Sequence, residues 1–251
     1  MRVESNMQNI YYTSRSALEI FKSFMEKEEV NVNHPISLDG RESYLGIAAK
    51  LNQTSIVQFL IQEGALVNYR DSGDKTALFY AFENGTENVE LFRALLDAGA
   101  NVNDKNGIGH TPLSIACKKG HLDVVKLLLQ NKAEINEPDT DTGDTPLIQA
   151  FKTGADKAAA MVELLLDNGA SINCCNKQGD TPVMTAVKHR NESALSKLFA
   201  KFTGTSEELT AYLNQPNAKG ETAWTIALEY SPDKGASLMV QHMLAEINLR
   251  H

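Results

Sequence analysis

One short pattern, Thr-Pro-Leu-x-x-Ala, returns along the chain. Its opening hydroxyl residue falls at Ser43, Thr76, Thr111, Thr145, Thr181 and Thr222, spaced 33, 35, 34, 36 and 41 residues apart. The alanine five residues later keeps the same phase, at Ala48, Ala81, Ala116, Ala150, Ala186 and Ala227. A sustained period of this size means an array of units, each unable to bury its apolar face alone.

The cleanest copy, Gly109 to Leu129, reads as two short helices. Thr111 suits an N-cap, where its hydroxyl accepts an orphan backbone N–H, and Pro112 suits the first helical position. Helix A then runs to about Lys119. Gly120 interrupts, and Leu122, Val125, Leu128 and Leu129 recur at helical spacing to give helix B one apolar face. Neither helix is long enough to be stable alone in water, so each pair must stack on its neighbours. Helix B ends in Gly64, Gly99 and Gly169, where a left-handed C-cap is expected, and Lys132 occupies that place in the third unit as a strained cap. After each cap come Leu66-Val67-Asn68, Asn101-Val102-Asn103, Glu134-Ile135-Asn136 and Ser171-Ile172-Asn173, then a polar turn that projects as a finger.

At these residues the chain resembles the ankyrin-repeat family, whose motif is Thr-Pro-Leu-His-x-Ala. Thr111-Pro112-Leu113, Thr145-Pro146-Leu147 and Thr181-Pro182-Val183 carry the likeness, with Gly120-His121-Leu122-Asp123-Val124-Val125 opening helix B. The resemblance implies an all-α fold, an ankyrin-repeat solenoid of antiparallel helix pairs with β-turn fingers. It divides the chain into a helical N-terminal cap at 1–38 and five repeats at about 39–69, 70–103, 104–137, 138–174 and 175–213. A degenerate C-terminal capping repeat follows at 214–251. Leu18, Phe21, Phe24 and Met25 mark the first cap. Trp224, Ile226 and Leu228 mark the last helix A, and Leu238, Met239, His242, Met243, Leu244 and Ile247 a last helix B.

The departures are informative. The family's histidine is replaced by Gly46, Phe79, Ser114, Ile148, Met184 or Thr225, so its polar tie to the threonine is expected to be lost. Extra residues at 85–87, at 154–157 and at 203–214 read as surface loops.

With 42% apolar residues, the repeat makes one elongated array of the 251 residues and leaves no room for a separate catalytic domain. No run approaches the roughly 20 apolar residues that span a membrane, and the polar N-terminus lacks a secretory core. A net charge of −8 argues against general nucleic-acid binding. Cys117, Cys174 and Cys175 are too few for a disulfide framework, which points to a reducing, cytoplasmic setting. Cys117 reads as a buried small side chain, and Cys174 with Cys175 lack the spacing of a zinc site. No catalytic His, Ser or Cys constellation is present, and no cofactor is expected. Asp139, Asp141, Gly143 and Asp144 resemble the start of a calcium loop without its closing glutamate, and read instead as a solvated acidic finger.

What remains is binding. The resemblance implies that partners lie along the finger tips and the exposed ends of helix A. From the fingers come Tyr69, Arg70, Lys75, Lys105, His110, Asp139, Asp144, Lys177 and Asp180. From helix A come Tyr80, Glu83, Lys118, Lys119, Lys152, Lys188 and His189. Lys118 and Lys119, Lys152, and Lys188 with His189 share one phase, which suggests a basic row suited to an acidic peptide. The alternative is that these charges are solvated helix ends. Tyr69 and Tyr80 are the expected exposed aromatic anchors. The function that follows is a monomeric, non-enzymatic scaffold for a partner protein or peptide. The alternative is the ankyrin arm of a bacterial effector or enzyme complex, acting in the first case in a host cytosol. Asn136, preceded by Glu134 and Ile135, also resembles a site of asparagine hydroxylation, or it serves only to close its turn.

Overall fold

The opening hydroxyls take up the role that their position demands. In the computed structural model, which describes residues 17–34, 42–229 and 245, Ser43, Thr111, Thr145 and Thr181 have extended backbone. Each accepts the N–H three residues on, at 3.0, 3.1, 3.4 and 3.3 Å. Pro112, Pro146 and Pro182 follow at the first turn, where a missing N–H costs nothing.

All regular structure among the described residues is helical. The cap helix is α1 (Ala17–Lys27), with Phe21 and Met25 buried. Four A/B pairs follow: α2 (Tyr44–Lys50) with α3 (Thr54–Gln62), α4 (Ala77–Tyr80) with α5 (Val89–Asp97), α6 (Pro112–Lys119) with α7 (Leu122–Gln130), and α8 (Pro146–Phe151) with α9 (Ala155–Asp167). A fifth pair is α10 (Pro182–Lys188) with α11 (Glu192–Lys201). It is succeeded by α12 (Ser206–Leu213) and α13 (Ala223–Glu229). The expected last helix B, Leu238 to Ile247, lies outside the described residues.

The chain forms two compact units, residues 1–107 and 108–251. In the first, α2 packs on α4 and α3 on α5, with α1 against α3. In the second, α6, α8, α10 and α13 stack as one row of A helices, and α7, α9 and α11 as a row of B helices. The B helices bury their apolar stripe completely: Val124, Val125 and Leu128 in α7, and Leu195, Leu198 and Phe199 in α11, are at 0% exposure. Each such side chain contributes roughly 1.5–3 kcal/mol, a gain that an isolated two- or three-turn helix lacks.

Between neighbours in each unit the polar ties repeat. Asn33, Asn68 and Asn136 each donate to the carbonyl of the next unit's cap glycine, Gly64, Gly99 and Gly169, at 3.1, 2.9 and 3.3 Å. Each also accepts the N–H two residues beyond that glycine, at 2.8–2.9 Å. These asparagines therefore clamp adjacent repeats instead of closing their own turns. The cap glycines have φ of 82°, 87° and 88°, and Lys132 is forced to 64° at the equivalent place.

Three sequence expectations are corrected. The segment at 203–214 is not a loop, because Thr205 and Glu208 form a reciprocal capping box that starts α12. Leu209 and Leu213 are fully buried there, and the Tyr212 hydroxyl donates to the Ile172 carbonyl at 2.9 Å. Of the residues at 154–157, Gly154 is the N-cap and the other three are absorbed into α9, whose 13 residues exceed the 9 of α3, α5 and α7. The polar tie at the histidine position survives in two units. The Ser114 hydroxyl donates to the Thr111 carbonyl at 2.9 Å, and Thr225 accepts the Thr222 N–H at 2.8 Å while donating to its carbonyl at 3.0 Å.

Lys132→Gly should stabilise residues 108–251 by roughly 0.5–1 kcal/mol, because glycine escapes the left-handed penalty but orders a freer chain. Urea unfolding of the purified variant measures the gain.

Candidate functional site

The fingers are built on an Asx residue and a left-handed one. Asp71, Asp139, Asn176 and Asn217 each use a side-chain oxygen to accept two backbone N–H groups of their own turn, at 2.6–3.2 Å. Two residues before each cap threonine the chain turns left-handed, at Asp74, Gly109, Gly143, Gly179 and Gly220. Gly143 and Gly179 answer a second demand, since a Cβ there would stand 2.9 Å from the backbone nitrogen of Lys177 or Ala218 in the next finger. That close approach lets single backbone hydrogen bonds join the fingers of the second unit: Thr140 N–H to Gly109, Lys177 N–H to Thr142, and Ala218 N–H to Gln178, at 3.3, 2.9 and 2.8 Å.

The residue just before each cap faces the one seven positions after it, at the end of helix A. This register produces a ladder of charges. In the first unit Glu42 pairs with Lys50 at 3.1 Å and Lys75 with Glu83 at 2.6 Å. In the second unit Asp144 pairs with Lys152, and Asp180 with Lys188 at 2.6 Å. Neighbouring rungs are stitched together. Asn176 donates to Asp144 at 3.0 Å, Asn217 donates to Asp180 at 2.8 Å, and Lys188 lies 3.9 Å from Glu221. At the rung before these His110 takes the acid's place in the chain, and its charge favours the ionised form of Asp139 in the next finger.

This geometry revises the expected site. Asp139, Asp144 and Asp180 are buried, not solvated. Gln149 bridges Asp139 and Asp144 from one nitrogen, at 3.1 and 3.0 Å. Burial opposes ionisation of Asp139, but the Thr142 N–H, the Thr142 hydroxyl, Gln149 and the His110 charge outweigh it and hold the carboxyl below its ordinary range. Lys152 and Lys188 are engaged by these acids, so the basic row is largely neutralised inside the chain. His189 is exposed, yet desolvation and the Lys152 charge depress its pKa, so it is neutral at pH 7. Lys118 and Lys119 are exposed at the end of α6 and have no carboxylate within ion-pair reach among the described residues. Lys177 donates to the Thr140 carbonyl at 2.7 Å.

In the first unit Tyr80 is corrected from an exposed anchor to a core residue at 5% exposure. Its hydroxyl donates to Asp71 at 2.5 Å, and the Lys50 and Lys75 ammonium groups lie 5.7 and 5.5 Å from its ring. A Cβ on Gly46 would sit 3.0 Å from that ring, which explains why glycine replaces the family's histidine there. Tyr69 is half-buried. Arg70 is taken up by Asp74, Asp104 and the Lys105 carbonyl. Cys117 is fully buried, which raises its thiol pKa. Cys174 lies 3.4 Å from the Thr145 hydroxyl and donates to the Ser171 carbonyl at 3.3 Å.

Two outcomes follow. Gly46→Ala should cost about 1–2 kcal/mol, because Tyr80 is anchored at both ends and cannot yield. The cost should vanish in a Tyr80→Leu background, as read by thermal unfolding of the four proteins in a double-mutant cycle. Asp139 has a folded-state pKa below its unfolded value, so its contribution is present above about pH 4 and lost as pH falls through the folded value. Urea titrations at pH 6 and about pH 3 should show a smaller acid-induced loss in Asp139→Asn than in the native chain.

Comparison with known proteins places this architecture. A family model described as ankyrin repeats (3 copies) matches residues 10–106, 87–174 and 155–251. The chain is 35% identical over 157 residues to the ankyrin repeat protein YahD of Escherichia coli (strain K12), covering 61% of this chain and 77% of that protein. It is 32% identical over 151 residues to the ankyrin repeat protein FPV031 of Fowlpox virus (strain NVSL), covering 58% of this chain and 43% of that protein. It is 28% identical over 188 residues to the B-cell lymphoma 3 protein homolog of Mus musculus, covering 73% of this chain and 39% of that protein. The chain thus spans less than half the length of the last two. With its caps, fingers and helix pairs repeating at the phase of these matches, the chain belongs to the ankyrin-repeat family.

Proposed function

We propose that the chain is a non-enzymatic, monomeric scaffold that binds a segment of a partner protein along the fingers and A-helix ends of residues 108–251. Ankyrin repeats are a protein–protein interaction architecture, and membership of that family supports the general reading. The observation that carries the finer one is the row of fingers joined backbone to backbone at Gly109–Thr140, Thr142–Lys177 and Gln178–Ala218. A surface ordered before it meets a ligand loses less entropy on binding. The net charge of −8 favours a protein partner over nucleic acid, and the three free cysteines suit a reducing, intracellular setting.

The alternative, an ankyrin arm that brings a bacterial effector or an enzyme complex to its target, finds support in the likeness to a bacterial protein. It differs in what the arm is attached to, not in how the arm binds. Asn136 remains a proposed hydroxylation site. It is exposed, and the clamp that it forms with Gly169 and Ser171 fixes the residue through its amide nitrogen and oxygen. An unmodified Asn136 peptide after co-expression with an asparagine hydroxylase rejects that role.

The scaffold reading is tested by placing a photo-crosslinking amino acid at Gln178 or at Lys126, which lies on the solvent face of α7 beside Asp123. Partner protein captured from a lysate should crosslink from position 178 and not from 126. Crosslinking from 126 alone would move the binding face to the B helices.

A further inference from the structure

Three asparagines precede a glycine, at Asn84–Gly85, Asn106–Gly107 and Asn168–Gly169. Each such pair carries a latent reaction, because a glycine nitrogen with no Cβ beside it can attack the side-chain amide carbon of the asparagine before it. The three pairs are alike in sequence and differ in what the fold does with that nitrogen. The Gly169 N–H donates to the Leu166 carbonyl at 3.1 Å, and the Asn168 amide is tied to the Leu164 carbonyl at 2.8 Å. The Gly107 N–H donates to the Gly73 carbonyl at 3.3 Å, and a Cβ on Gly107 would stand 2.7 Å from that oxygen. The Gly85 N–H has no acceptor among the described residues. Gly85 is exposed, and apart from its chain neighbours a Cβ there would meet nothing within 4 Å. The amide that it would attack is prepared at the same place. Asn84 Oδ1 accepts from the Thr86 N–H at 2.7 Å and from the Thr86 hydroxyl at 2.6 Å, while Nδ2 donates to the Ala81 carbonyl at 3.1 Å. Two donors on one carbonyl oxygen lie where negative charge develops when its carbon is attacked.

We propose that Asn84 is a site of self-modification, where the chain deamidates through a cyclic imide with Gly85 to give aspartate or isoaspartate. The deprotonated Gly85 nitrogen bonds to Asn84 Cγ, the Cγ–Nδ2 bond breaks, and Nδ2 leaves as ammonia with a proton from water. The five-membered imide then takes up one water. Opening at Cγ gives aspartate, and opening at the main-chain carbonyl of residue 84 gives isoaspartate, with the backbone rerouted through the side chain. No electrons are exchanged, and water is the one co-reactant. Either product sets a carboxylate beside Glu83, which already pairs with Lys75 at 2.6 Å and lies 3.9 Å from Lys50. The isoaspartyl product also lengthens the backbone ahead of Asn88. That residue caps α5 and donates to Asn52 at 2.7 Å and to Thr54 at 3.0 Å in the preceding repeat. The reaction therefore adds charge at the end of a helix A and alters the link from that helix to its partner.

The experiment ages the full chain in buffer and, alongside, in urea, with samples taken over time. Proteolytic peptides are followed by the mass gained when an amide NH2 becomes OH, and fragmentation assigns the residue and separates aspartate from isoaspartate. In the folded chain Asn84 should convert several-fold faster than Asn106 or Asn168, and faster as pH rises, because the nucleophile is the deprotonated nitrogen. In urea the three rates should draw together, since what separates them is the fold. Thr86→Val keeps the N–H and removes the hydroxyl. With its fold confirmed by circular dichroism, it should slow Asn84 several-fold in buffer and leave the rate in urea unchanged. Equal conversion at the three sites of the folded chain, or earlier conversion at Asn106 or Asn168, overturns the inference. So does an intact Asn84 over a period in which the unfolded chain converts. An unchanged or faster rate in folded Thr86→Val overturns the part given to the hydroxyl.

Discussion

The structure depends on burial between neighbouring repeats that cannot stand alone. Among the described residues its helices run from the four residues of α4 to the 13 of α9, lengths at which nucleation is not repaid by helical hydrogen bonds in water. What orders them is the face that each pair gives to the next. Val124, Val125 and Leu128 disappear against the B helices of the second unit, and Leu78, Phe79 and Phe82 are buried in the first. Because every repeat leans on a neighbour within its compact half, the polar groups between repeats must also be answered in register. The asparagine clamps at Asn33, Asn68 and Asn136 and the Asn191 amide, which donates to the Phe151 carbonyl at 2.6 Å, do this at the same phase as the apolar contacts.

The same logic governs the face offered to a partner. A finger must turn left-handed two residues before the threonine, which places the following residue over the end of its own helix A. When that residue is an aspartate, the approach of a lysine from helix A is a structural ion pair with one buried member. Such a pair is costly to break from one side, because a lone buried carboxylate remains. Charge on this surface therefore divides into charge that holds the fingers down, at Asp144–Lys152 and Asp180–Lys188, and charge that is left over, at Lys118 and Lys119. The two look alike in sequence.

The repeat, the caps and the helix pairs were legible because each rests on local chemistry: a threonine before a proline, a glycine after a leucine run. Lys132 was legible as a strained cap for the same reason. The helix at Ser206–Leu213 was missed although Thr205 and Glu208 hold the spacing of a capping box, since an insertion in a repeat array invites reading as a loop. The burial of Tyr80 could not be seen from its own repeat. It depends on the absent side chain of Gly46, 34 residues earlier. The acidic finger was misjudged for a related reason. Asp139 and Asp144 look solvated until Gln149 and Lys152 fold over them, and only a register of eight residues, unfamiliar as a helical spacing, would have linked 144 to 152.

The central claim is that Lys152 belongs to the fold and not to a ligand. A double-mutant cycle on Asp144→Asn and Lys152→Met, followed by urea unfolding in the absence of any partner, tests it most directly. The structure predicts a coupling of about 1–3 kcal/mol, well above the few tenths expected for the exposed Asp123–Lys126 pair measured alongside. Coupling at Asp144–Lys152 no larger than that of the exposed pair would contradict the account and return Lys152 to the surface available for binding.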